Sequence, residues 1–251
     1  TLIFQYLGKV TNRTKFYLDP PDKTISDAGG NWNATSTWVE GVVPVSTDNV
    51  GATATSGNVT LTASTTIRSL DLTGYVGTLT HNASVTLTIG DATAGTGNVA
   101  LKFVAGMTYT KGSSTTSAID FVSTSATQQT ITLGGKVLGN TTFNATSNGS
   151  WIFSDAFSCG AATLTLTKGT LDTNGQTVTA GYMNLGNSNV RSLTLGASAI
   201  NLSGIGWDMT TATNMTFSGA SSTITQPGNG AGFAGGGKTY GTVIMTISNT
   251  S

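Results

Sequence analysis

Charge is what this chain has least of. Only 9% of its 251 residues are Asp, Glu, Lys or Arg, against about a quarter in an ordinary soluble domain. Eleven basic residues balance eleven acidic ones, so no net field draws the chain to nucleic acid or to an anionic membrane. There is one histidine, His81. It excludes a histidine-rich metal site and leaves a Ser/His/Asp triad without visible partners, so a surface or turn histidine is expected. The single cysteine, Cys159, excludes an intrachain disulfide, and its apolar surroundings suggest a buried structural thiol. No apolar run reaches the roughly 18 residues of a membrane-spanning helix, so no membrane insertion is expected. The opening "TLIFQYLGKV" has no charged leader and no small-residue cleavage site, so a signal peptide is not expected either. Leu, Ala, Glu and Lys never cluster at helical spacing, which leaves almost no room for helix.

What the chain does have is threonine, about a fifth of all residues, and 33 glycines. Threonine suits a pleated surface through its branched Cβ, and glycine marks turns and close backbone approaches. Short runs alternate apolar with polar: "NVTLTA" (58–63), "IRSLDLTG" (67–74), "VTLTIG" (85–90), "QTITLGG" (129–135), "ATLTLTKG" (162–169), "QTVTAG" (176–181), "VRSLTLG" (190–196) and "AINLSG" (199–204). Period-two alternation means strands with one buried and one wet face. Loose internal echoes accompany them. "IRSLDLTG" matches "VRSLTLG", and "GTLTHNASVT" (from 77) matches "GTLDTNGQTVT" (from 169), in opposite order in the two halves. The pattern predicts an all-β parallel β-helix, a solenoid with turns of about 20 residues or a little more. The alternative is a tandem β-sandwich, for which Asn148-Gly149 and Asn174-Gly175 would serve as hairpin turns.

Three zones divide the chain. Residues 1–28 hold Lys9, Arg13, Lys15, Asp19, Asp22, Lys23 and Asp27 and the pair Pro20-Pro21, and read as an extended attachment arm. Residues 29–50 carry Trp32 and Trp38, and read as a cap over the open end of the core. Residues 51–251 are the solenoid. The two indoles have a second reading, a carbohydrate platform, because aromatic faces also stack on sugars. Trp151 and Trp207 read as core.

Chemistry-bearing groups are sparse. "GFAGGGK" (232–238) follows no clear strand and opens no helix, so its glycines suggest turns and not a phosphate loop. Acid pairs such as Asp71 with Asp91, or Asp155 with Asp172, would suit glycoside hydrolysis only if neighbouring turns brought them together. Aspartates at strand ends are ordinarily turn caps. No catalytic, cofactor or metal site is therefore expected. What remains is a wide, neutral, hydroxyl-rich surface fit for a rod, a scaffold or weak multivalent binding.

"GGNWNATSTWVEGVVPVSTDNV" (29–50) followed by "GNVTLTASTTIRSLDLTG" resembles the opening of Thr/Gly-rich β-solenoid proteins of tailed bacteriophages. The stretches 164–204 and 230–245 look like the same proteins' repeat region, so the resemblance covers about residues 29–247. It implies a virion appendage on the particle's exterior: a tail fibre, a tail spike or a capsid-attached fibre. It also implies a homo-oligomer, commonly a trimer, and contact with host-surface glycans. It supplies no catalytic motif. The arm, residues 1–28, lies outside it and would join other virion proteins. Two alternatives stay open: a bacterial surface or secreted β-helix adhesin, and a polysaccharide-cleaving spike.

Overall fold

The structure is a computed structural model that describes residues 22–228 and 232–246. Those residues form a parallel β-solenoid of about nine turns. Among the described residues every pairing between named strands is parallel, and the one antiparallel contact is an isolated bridge from Ile25 to Trp38. That rules out the tandem sandwich, whose hairpins require antiparallel neighbours. Asn174 and Gly175 do take the left-handed turn conformation, with φ of 53° and 69°. They turn a corner between strands that belong to different faces, and no hairpin forms there.

Each turn lays strands on three faces. On the first, Lys23–Thr24, Asn49–Gly51, Ser69–Asp71, Val99–Lys102, Gln128–Thr132 and Ser150–Phe153 follow one another in register. The second begins with Gly30–Asn31, Val59–Leu61, Thr78–His81 and Thr108–Lys111. The third begins with Thr65–Ile67, Thr86–Ile89, Ala118–Phe121 and Asn140–Asn144. Turn length is uneven. Asn49 lies beside Ser69, 20 residues on, but Leu70 lies beside Leu101, 31 residues on. The longer turn carries an extra corner with the 3-10 segment Thr96–Asn98.

Alternation explains the core. Inward residues stack into columns about 4.8 Å per step, such as Val50, Leu70, Leu101, Ile131 and Phe153, all buried. The middle of the core is aromatic. Phe121 stacks on Phe143 at 4.9 Å and Phe153 on Phe157 at 4.3 Å, both pairs nearly parallel, and Trp151 leans on Phe143 at 5.2 Å. Such pairs add about 0.5–1.5 kcal/mol each beyond their buried area. Long runs bend between faces at glycine. Thr163–Asp172 crosses from the third face to the first at Gly169, whose φ of +105° a side chain would strain.

The boundary drawn at residue 28 moves. Lys23–Thr24 belong to the first face, and Ile25 is buried in the core. The Asp22 carboxylate accepts hydrogen bonds from the Asn49 backbone N–H and Nδ2, at 2.8 and 2.9 Å. Residues 22–28 therefore belong to the first described turn, held there by the pairing of Lys23–Thr24 and the burial of Ile25. The rest of the expected arm, residues 1–21, lies outside the described residues.

Candidate functional site

Trp32 and Trp38 sit in that first turn, and both are buried, with 0% and 2% exposure. Their rings meet edge to face at 4.8 Å. The Trp38 indole donates to the Trp32 carbonyl at 2.8 Å, and the Thr37 hydroxyl donates to the Asn31 carbonyl at 2.6 Å. With both rings inside, neither presents a face on which a sugar would stack. Val39, Val42 and Val45 just beyond them are exposed. Trp151 and Trp207 are core residues; Trp207 packs among Phe217, Phe233 and Tyr240.

The acids weighed as catalytic pairs are engaged locally. Asp71 accepts from the backbone N–H and hydroxyl of Thr73. Asp91 accepts from the Thr93 N–H and holds Arg68 in an ion pair at 3.2 Å. Asp155 accepts from the N–H groups of Leu133 and Gly134 in the preceding turn, at 2.8 and 2.7 Å. Asp172 accepts from the Asn174 N–H at 2.7 Å. Each binds the turn it sits in or the one above. Four lysines behave alike. Lys111, Lys136, Lys168 and Lys238 each donate to a backbone carbonyl of another turn. Among the described residues no group of three or more His, Cys, Asp or Glu is placed to hold a metal ion.

One site departs from the sequence reading, and a second was not singled out by it. His81 is not at the surface: it is 1% exposed and points inward from the strand Thr78–His81. One ring nitrogen meets the Tyr109 hydroxyl at 2.9 Å and the other meets the Val85 carbonyl at 2.9 Å. Burial holds its pKa below the ordinary histidine value. Period-two alternation from Leu79 would have placed it inside, but the polar neighbours of "LTHNAS" suggested a turn. Arg191 is the second site. It is 2% exposed and has no carboxylate partner; all five of its donated bonds end on carbonyls, those of Leu185, Asn189, Thr211 and Thr213. Nothing in its sequence neighbourhood sets it apart from Arg68. Cys159 is buried as expected, with its pKa pushed up to about 12 by desolvation.

The outer surface is made of rows. On the third face Thr66, Thr88, Asp120, Thr142, Thr165 and Asn184 lie in register, one per turn. Burial raises the pKa of Asp120 above the usual carboxylate value, while a Thr142 hydrogen bond opposes the shift. Shallow hollows interrupt the rows. One of about 180 Å³ on the first face is lined by Asn49, Gly51, Ser69, Asp71, Thr73 and Thr96. Another of about 160 Å³ lies by Tyr182, Ile205 and Asp208. Both are smaller than the roughly 300–1,000 Å³ of a drug-sized ligand pocket. No protein-family model, curated protein or solved structure matches the chain.

Proposed function

We propose that this chain is a non-catalytic structural protein of a bacteriophage particle, a tail fibre, tail spike or capsid-attached fibre on the virion's exterior. Its solenoid is a rigid shaft. Residues 1–21 join it to neighbouring virion proteins, and the shaft assembles as a homo-oligomer, with a trimer the expected form. The observation that carries this reading is one core, continuous through about nine turns, with charged side chains such as Asp155 and Lys168 bonded to the shaft's own backbone. Threonine-rich polar rows along the sides suit many weak contacts with host-surface glycans, which gain strength by repetition.

The test is incorporation. Antibody labelling of particles carrying the full chain should decorate their exterior, and deletion of residues 1–21 should yield particles that lack the protein while the isolated shaft still folds. Normal incorporation of the truncated chain would overturn the attachment role. Release of oligosaccharides from host capsule or O-chain by the purified protein would replace the non-catalytic reading with that of a cleaving spike.

A further inference from the structure

His81 is held as a neutral ring by the two groups it meets and by its burial. The Val85 carbonyl can only accept, so the nitrogen 2.9 Å from it, Nε2, carries the proton. Nδ1 is then an acceptor, and the buried Tyr109 hydroxyl donates to it at 2.9 Å. A proton on Nδ1 would turn that acceptor into a donor. Tyr109 would have to swing its own hydrogen away from the ring, into an interior formed with Phe103, whose ring lies 5.0 Å from its own.

No anion stands ready to compensate. Val59–Leu61 and Thr86–Ile89 carry no titratable group. Thr108–Lys111 brings Tyr109 and Lys111; Lys111 is the register partner of His81, and its ammonium donates to the Val137 carbonyl. Cys159, whose charge would interact with Lys111, is held as the thiol by burial. Asp120, on Ala118–Phe121, lies on the outward row of the third face. The His81 carbonyl also accepts from the Gly112 N–H at 2.7 Å and the Ser117 hydroxyl at 3.3 Å, tying the 112–117 corner to this strand.

We propose that His81 is an acid-sensitive joint in the shaft: when its ring gains a second proton, the second face opens between Thr78–His81 and Thr108–Lys111 while distant turns stay closed. The opened state binds that proton at the ordinary histidine pKa of about 6.5, and the closed state binds it only at a lower pH. The closed state is thus fully favoured above about pH 6.5 and loses ground as the pH falls toward its own lower pKa.

Hydrogen exchange, expressed as protection relative to the unstructured chain between about pH 7.5 and about pH 5, tests this. Amides of 78–86 and 108–118 should lose protection by up to about tenfold per pH unit below about 6.5. Amides of Ser150–Phe153 and Arg191–Thr194 should not change. In His81→Gln the slope should vanish. Equal loss in every turn, or a slope that survives His81→Gln, would overturn the proposal. Should that variant fail to fold, the wild-type ring decides alone. As the only histidine, it titrates without overlap in an NMR spectrum, and a midpoint at or above about 6.5 would also overturn the joint.

Discussion

Arg68 and Arg191 open the same short motif, Arg-Ser-Leu, and the Leu of each is buried on the same face of the solenoid. Their replacement by methionine should nevertheless have very different consequences. Arg68 makes one ion pair, to Asp91 at 3.2 Å, with both side chains partly exposed at 21% and 17%. Such pairs contribute about 0–1 kcal/mol, so Arg68→Met should cost no more than that. Arg191 is buried and holds four carbonyls at 2.5–3.1 Å, from two successive turns, Leu185 and Asn189 in one and Thr211 and Thr213 in the next. Hydrogen bonds from a charged group contribute about 1.5–3 kcal/mol each, but five such gains do not add, because the guanidinium has also lost its own hydration. Removing one side of a buried charged network costs about 3–5 kcal/mol, and Arg191→Met should fall in that range. Arg191→Lys should recover little of the loss, since one ammonium cannot span four carbonyls.

Guanidinium denaturation of the three variants beside the parent chain measures this. Hydrogen exchange should place the Arg191→Met damage at the corners 185–190 and 211–214. If Arg191→Met and Arg68→Met proved equal to within about 1 kcal/mol, the buried guanidinium would not be the fastener that its bonds imply.

Other outcomes follow from the packing. Gly169→Ala places a Cβ 2.8 Å from the Gly149 carbonyl oxygen and 2.9 Å from the Trp151 ring at a φ of +105°. It should destabilise the chain by more than about 2 kcal/mol in a denaturant melt. Cys159 should resist iodoacetamide under native conditions at neutral pH and react once unfolded, because burial pushes its pKa up to about 12. All four tryptophans are buried, so native fluorescence should be blue-shifted and poorly quenched by acrylamide; easy quenching would mean that at least one indole faces water. Trp32→Ala should cost about 3–5 kcal/mol through the cavity it leaves, with the increase in exchange concentrated in the turn formed by residues 22–51.

The fold was legible because alternation is a local property. "VTLTIG" and "ATLTLTKG" announce strands whatever surrounds them, and short runs without helical spacing leave a solenoid as the natural stack. What alternation does not carry is the corner. "IRSLDLTG" reads as one strand but is two, Thr65–Ile67 on the third face and Ser69–Asp71 on the first, with Arg68 at the bend. The echo between "GTLTHN" and "GTLDTN" joins places that are not equivalent in space: Leu79 points inward from the second face, Leu171 from the first. The Arg-Ser-Leu echo does mark one face twice. Turn length is free to vary from 19 to 32 residues because extra residues fit into corners without disturbing the columns. A sequence period therefore blurs while the spatial period stays fixed.

The same reasoning explains why the polar interior escaped notice. Whether an arginine at a corner turns out to an aspartate or in to four carbonyls depends on what the turns before and after it expose. Val190, preceding Arg191, is 70% exposed, whereas Ile67, preceding Arg68, is fully buried. Swapping which neighbour is buried rotates the corner and carries the arginine with it. His81 differs: it lies two residues from buried Leu79 on the same strand, so its position was implied by the pattern and concealed only by the polar residues that follow. In such a shaft many of the few ionisable groups act on backbone groups, several of them in adjoining turns. Their value is set by stacking, and stacking is the one relation that a single strand's sequence does not contain.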